Sequence, residues 1–415
     1  MVGTTTNGRY GGIHLLLRGQ YMTNSSETDD QLGPTEDGAP FAVRIGNAVE
    51  TLDPAYFGFV MSTGIVSIAF RELDVAAVAQ SLATLTIGCY GLLLTLFAVR
   101  LAAFPDRMLA DLRHRERHWG TLTFVVATNT VGTQLLVFFD AVWVATVLWG
   151  TMIVATPLLL YYLFATEFIG TGKTDVSERI DGAFLLVIVC MQSLAILGGL
   201  LADALSANVD AIVLLSMSYF GSGYVLYFII VTVVTYRLLE GAVRPDDWTG
   251  PYWITMGAAA ITTLAGTTLG PMLESMVGWA QYAPVIVGVT FLAWAIASWW
   301  IPLLLILDVW KFLTVDIDTR VPTWVIVVPW SRLGFGRQLH TYAPTAWGRV
   351  FPMGMYTACT LNLAGISTFG LLSVVPAYWG WFALGVWTLT FVGMVRTVVR
   401  VLRGERSSST TPESA

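Results

Sequence analysis

Residues 120–165 read GTLTFVVATNTVGTQLLVFFDAVWVATVLWGTMIVATPLLLYYLFA. Two apolar runs, 120–139 and 142–165, meet at Asp140 and Ala141. Each is long enough to cross a hydrocarbon core of about 30 Å, which takes about 20 helical residues. The two differ in kind. The first carries Thr128, Asn129, Thr130, Thr133 and Gln134 in its middle, while the second holds no amide at all.

Working outward with the same window gives ten runs: 54–70, 80–103, 120–139, 142–165, 181–201, 209–236, 251–272, 281–307, 344–370 and 374–400. Of the 415 residues, 55% are hydrophobic and 12% charged, with a net charge of −6. Soluble chains carry about 25% charged residues. That shortfall excludes an ordinary soluble enzyme, a disordered chain and a nucleic-acid binder. The sequence is that of an all-α integral membrane protein with ten transmembrane helices.

Lys and Arg favour cytoplasmic loops. With ten spans, 21 of the 22 basic residues fall on the side of both termini, and only Arg71 lies opposite. Both termini are therefore expected in the cytoplasm. The polar stretch 1–41 reads as a disordered cytoplasmic tail, 42–403 as the membrane domain, and 404–415 as a second disordered tail. Met22 also opens a plausible beginning, so 1–21 need not be native. The Trp324–Trp330 stretch reads as an interfacial element resting at the headgroups.

Cys89, Cys190 and Cys359 are scattered in apolar runs, and His14, His114, His118 and His340 lie in tails or polar loops. No metal site, cofactor or disulfide framework is expected. No Asp, Glu, Lys, Arg or His lies near the middle of any run. A catalytic acid, histidine or Ser–His pair at depth is missing, so an enzyme is not expected. Proton-driven pumps place an ionisable group at depth, so passive or weakly coupled passage is favoured. Asp140, Glu167, Asp203, Glu274 and Asp308, at run ends, read as solvated caps.

Counting Gly, Ser, Thr, Asn and Gln separates the runs further. Over 54–70, 121–139, 181–201, 251–270 and 351–370 the odd-numbered ones hold 34 in 97 residues, and over 82–101, 142–164, 211–236, 281–307 and 374–399 the even-numbered ones hold 26 in 122. Small and polar residues serve tight helix packing, or they face a wet path. Packing alone gives no reason to alternate with each pass, so an inner ring of odd helices shielded by even ones is expected. Pocket candidates are Thr63, Gly64, Asn129, Gln192, Thr262, Thr263 and Asn362, each of which could equally bond a neighbouring helix. A short repeat pairs Met256-Gly257 and Thr263-Leu264 with Met353-Gly354 and Thr360-Leu361.

Two segments carry a resemblance: Pro54–Ala69 (PAYFGFVMSTGIVSIA) and Trp347–Thr360 (WGRVFPMGMYTACT). Together they resemble the tellurite-resistance/C4-dicarboxylate transporter family, with its malate permeases, sulfite exporters and slow-type anion channels. Ser62 stands where the family usually has a second Gly. The resemblance implies five helical hairpins with odd helices forming an inner pore ring, a homotrimer of independent pores, and a plasma-membrane location. It implies small-anion transport, of C4-dicarboxylates such as malate or of tellurite- or sulfite-type oxyanions, with an inorganic-anion channel as the alternative. It also makes Phe351 the pore gate, although an interface aromatic remains the plain alternative. Pro352 deprives the Gly348 carbonyl of its helical donor, so a kink is expected beside that ring. Arg349 would either attract anions at the cytoplasmic mouth or anchor the helix. The expected partners are the lipid bilayer and a small anion.

Overall fold

The computed structural model describes residues 41–114, 117–169, 180–205, 209–241, 243–245, 247–317, 342–367 and 370–403. The expected tails, apart from Phe41, and the expected interfacial Trp324–Trp330 stretch lie outside the described residues. Asn47–Val399 form one compact unit. The described ends, 41–46 and 400–403, belong to a second unit and are the outer turns of the first and last helices.

Among the described residues there are helices and no strands. In chain order they are α1 (Phe41–Glu50), α2 (Phe57–Glu72), α3 (Ala76–Ala103), α4 (Pro105–Arg113), α5 (Leu122–Phe139), α6 (Val142–Ile169), α7 (Leu186–Ala204), α8 (Val209–Glu240), α9 (Ile254–Glu274), α10 (Ala283–Ile317), α11 (Trp347–Gly365) and α12 (Leu371–Arg403). Seven are long and apolar enough to cross a membrane, and the bent pair α1–α2 makes an eighth. The ten apolar runs thus yield seven or eight span candidates. The remaining two, α9 and α11, are rich in Gly and Thr, and they pack beside the others.

Helix α2 packs on α5, α5 on α7, α7 on α9, α9 on α11, and α11 back on α2. The other long helices sit outside this closed ring. Helix α3 lies against α2 and α5, α6 against α5 and α7, α8 against α7 and α9, and α10 against α9 and α11. Helix α12 bridges α11 and α2: Trp379 meets Tyr356 edge-on, and Trp387 donates to the Thr63 hydroxyl at 3.0 Å. Burial follows this division. In the apolar window of Gly182–Ala204, 94% of residues are buried, against 17% in that of Leu371–Arg403.

A glycine stands at each ring contact. A methyl on Gly64 would overlap Thr130 of α5. One on Gly132 would lie 2.6 Å from Leu197 of α7, and one on Gly199 3.0 Å from Thr268 of α9. One on Gly257 would lie 2.7 Å from Pro352 of α11, and one on Gly354 2.9 Å from Val66 of α2. In lipid there is little hydrophobic drive between helices, so close backbone approach and van der Waals contact hold them together. The sequence repeat gains a meaning here, because Gly257 and Gly354 each admit the next ring helix.

Each ring helix is also preceded by one turn of 3₁₀-helix: Pro54–Tyr56, Trp119–Thr121, Gly182–Leu185, Gly250–Trp253 and Pro344–Ala346. These turns touch one another in the same cyclic order. The five helices therefore run parallel, with their N-termini gathered at one end. Asp53 and Asp181 cap two of the turns, accepting from the Ala55 and Ala183 amides at 2.8 and 2.9 Å. At the far end the chain reverses tightly, with Asp74 (φ 59°) and Asp140 (φ 52°) in the left-handed region. Asp140 closes α5 there, exposed, as a cap should be.

Candidate functional site

Outward contacts fix the face of α11 that the ring encloses. Tyr356 and Thr360 meet Ser298 and Trp294 of α10 at 2.8 and 3.1 Å, and Thr357 lies against Gly380 of α12. Pro352 is seated on α9 and Gly354 on α2. At about 100° per residue, the remaining face carries Phe351, Met355, Ala358 and Asn362. Phe351 is completely buried. Helix α11 runs unbroken through Pro352, whose ring fills the notch left by Gly257.

The same construction on the other ring helices brings Met61, Ile65, Val126, Val189, Ile196, Ile261 and Leu264 to the inner face. All are buried and apolar. Further toward the C-terminal ends, one inner residue from each helix is part-exposed: Ile68, Val137, Leu200, Thr268 and Asn362. The inner face is thus fully buried at the level of Phe351 and part-exposed toward the far end. From Phe351 to Asn362 is about 16 Å along the helix.

Among the described residues of the ring helices, charged side chains occur only near the ends: Arg71, Glu72, Asp203, Glu274 and Arg349. No group of three or more His, Cys, Asp or Glu suited to a metal ion occurs among the described residues. At the gathered N-termini the parallel helix dipoles supply partial positive charge, which favours an anion.

The expected pocket residues divide. Asn362 lies on the inner face, where its amide donates to the Ala358 carbonyl at 3.0 Å. Asn129 donates to Ser193 of α7 at 2.9 Å, on the inner side of that helix contact. The others face neighbouring helices. Thr63 accepts from Trp387, Gly64 admits α5, and Gln192 donates to the Phe220 carbonyl of α8 at 3.1 Å. Thr262 and Thr263 point toward the outer helices, and their hydroxyls donate to the Ala258 and Ala259 carbonyls. Thr128, Thr130, Thr133, Thr267, Thr357 and Thr360 likewise bond within their own helices. Most of the expected hydroxyls thus donate within their own helices.

One residue at the turn end behaves differently from expectation. Asp308, expected as a solvated cap, is buried at 9% exposure. Its carboxylate accepts from the Trp248 and Trp253 indoles at 2.8 and 3.0 Å, and from Arg349 Nη2 at 3.0 Å. Lys311 donates to the Trp248 carbonyl at 2.7 Å. Arg349 is thus offset by a carboxylate, and the cluster ties α10 and the Gly250–Trp253 turn to the first turn of α11. Nothing in the sequence pairs Asp308 with a residue 41 positions away. On the opposite side of the turn ring, Asp111 bridges Arg100 and Arg117 at 2.6 and 3.1 Å.

A sequence model of the family described as "Voltage-dependent anion channel" matches residues 51–395. An uncharacterized membrane protein of Mycobacterium tuberculosis is 33% identical over 184 residues, covering 44% of this chain and 82% of that protein. An uncharacterized transporter of Methanocaldococcus jannaschii is 20% identical over 374 residues, covering 86% of this chain and 97% of that one. A sulfite efflux pump of Arthroderma otae is 23% identical over 360 residues, covering 83% and 90%. The resemblance read from the Pro54–Ala69 and Trp347–Thr360 segments is borne out.

Proposed function

The chain belongs to the voltage-dependent anion channel family, and on that premise we propose that small singly charged anions cross along the axis of its five-helix ring. One observation carries the reading: a ring uncharged between its ends, with five helix N-termini gathered at one mouth. The parallel dipoles favour anions there over cations. The neutral interior offers no fixed charge to trap an ion in transit, as conduction requires.

Phe351 is the constriction in this reading. Its ring closes an axis that is apolar on every side, and such constrictions gate by excluding water. Moving one benzyl group would join the turn end to the part-exposed far end. The turn end faces the cytoplasm, because the basic residues flank it while Arg71 stands at the far end. A plasma-membrane location and a homotrimer, with each ring conducting by itself, complete the proposal.

The substrate class follows from the lining. A dicarboxylate such as malate carries two charges, and the inner face presents no guanidinium or ammonium to meet them. Hydrogensulfite, the singly charged form of sulfite, or a halide, is the easier passenger, and the sulfite pump of Arthroderma otae supports the oxyanion. Liposomes containing purified protein, assayed with sulfite, nitrate, chloride and malate, test this. Sulfite and nitrate flux above protein-free liposomes is expected. Flux of malate alone would replace the substrate class, and flux of none would remove the reading.

A further inference from the structure

Three side-chain carbonyl oxygens of the ring helices are buried with no hydrogen-bond partner: those of Asn129, Gln134 and Gln192. Gln134 sits at the contact with α2, its amide 3.4 Å from the Gly64 carbonyl, and Gln192 reaches outward to α8. Asn129 alone of the three stands on the enclosed side. Its neighbour Gly132 meets Leu197 at the α5–α7 crossing, and Asn129 is turned about 60° from Gly132 toward the inner residues Val126 and Thr133. It is only 1% exposed, and it is the eighth of the eighteen residues of α5, close to mid-helix.

The orientation of this amide is fixed by a relay. Ser193 donates its hydroxyl to the Cys190 carbonyl at 2.7 Å, so its oxygen is left to accept. It accepts from Asn129 Nδ2 at 2.9 Å. The NH₂ is thereby held against α7, and Oδ1 is the group left over. A buried acceptor without a donor is costly, and its natural complement is an O–H.

We propose that Asn129 Oδ1 is a selectivity site for anions that carry their own proton, such as hydrogensulfite. Such an ion donates its O–H to Asn129 as it passes. An aprotic anion of equal charge, such as nitrate or chloride, offers only lone pairs to the same oxygen. This rests on the axis being the conduction path, and it names the passenger that the axis prefers. Hydrogensulfite and nitrate make the comparison clean, since both are small, singly charged oxyanions and only one has a donor.

The test is the ratio of hydrogensulfite to nitrate flux in liposomes, at a pH where hydrogensulfite predominates. Wild type should favour hydrogensulfite about three- to tenfold, the worth of one hydrogen bond. Asn129→Leu, nearly isosteric, should bring the ratio to about one by slowing hydrogensulfite more than nitrate. Should that variant fail to fold, Ser193→Ala keeps the carboxamide but frees it to rotate and present its NH₂. The ratio should then shift toward nitrate. A wild type that carries both anions equally, or an Asn129→Leu protein that keeps the wild-type ratio, overturns the proposal while leaving anion conduction intact. A wild type that carries neither removes the conduction path and this site together.

Discussion

Replacing Asp308 by Asn probes the mouth most sharply, because it acts on stability and flux in opposite senses. The carboxylate bonds Arg349 and two indoles at 2.8–3.0 Å, with the Asp308 and Arg349 side chains 12% and 17% exposed. Removing one partner of a buried pair costs about 3–5 kcal/mol. The residual exposure, and the acceptor oxygen an amide retains, reduce this to about 2–3 kcal/mol here. For a chain of this size that is a fall of about 3 °C in the thermal midpoint of the solubilised protein. The unpaired Arg349 then stands at the N-terminal end of α11 with its full charge. At about 8 Å through water that charge is worth about 0.5 kcal/mol to a monovalent anion, or roughly a twofold enrichment at the mouth. Nitrate flux into liposomes should rise about twofold at low ionic strength. The gain should vanish in 1 M salt, where the screening length is about 3 Å. The double variant Asp308→Asn/Arg349→Gln should lose the gain. Flux equal to wild type at low salt, or a rise that persists in 1 M salt, would refute the assignment of Asp308 as the counter-charge of the mouth.

Other expectations come from the packing. Gly64→Ala should lower the thermal midpoint, since the added methyl meets Thr130, whose rotamer is held by its bond to the Val126 carbonyl; a cost of about 1–3 kcal/mol is expected. Gly88→Ala, where nothing lies within 4 Å, should be neutral or stabilising in the same assay. Thr63→Val removes the acceptor of Trp387 and should cost about 1 kcal/mol of stability, with relative anion fluxes unchanged; altered selectivity would return Thr63 to the path. Nitrate uptake should survive a protonophore, because the described ring helices hold no Asp, Glu, Lys, Arg or His between their ends; abolished uptake would point to a coupling group elsewhere.

The partition into buried and lipid-exposed helices was legible in the sequence, because Gly, Thr and amides are costly against lipid and so collect on the helices that see only protein. Which of them face the axis was not. A helix buried on all sides has no amphipathic phase, so Thr63 and Asn362 look alike in sequence, although one meets Trp387 and the other the axis. The threonines are ambiguous for a related reason. In lipid each hydroxyl turns back to its own helix, as Thr262 does to Ala258, and contributes little polarity to a path. The ring of 3₁₀ turns has no shared sequence signature: Pro54, Trp119, Gly182, Gly250 and Pro344 open the five turns. The Asp308 cluster joins segments far apart in the chain, and only the fold brings them together.

The conductance of Phe351→Ala beside that of wild type, recorded on purified protein in a planar bilayer, addresses the axis directly. If one benzyl group seals the ring, the variant should pass anion current well above the wild-type level and keep its preference for anions over cations. Unchanged current in a variant that folds as wild type does would mean that anions cross somewhere other than the axis of the five helices.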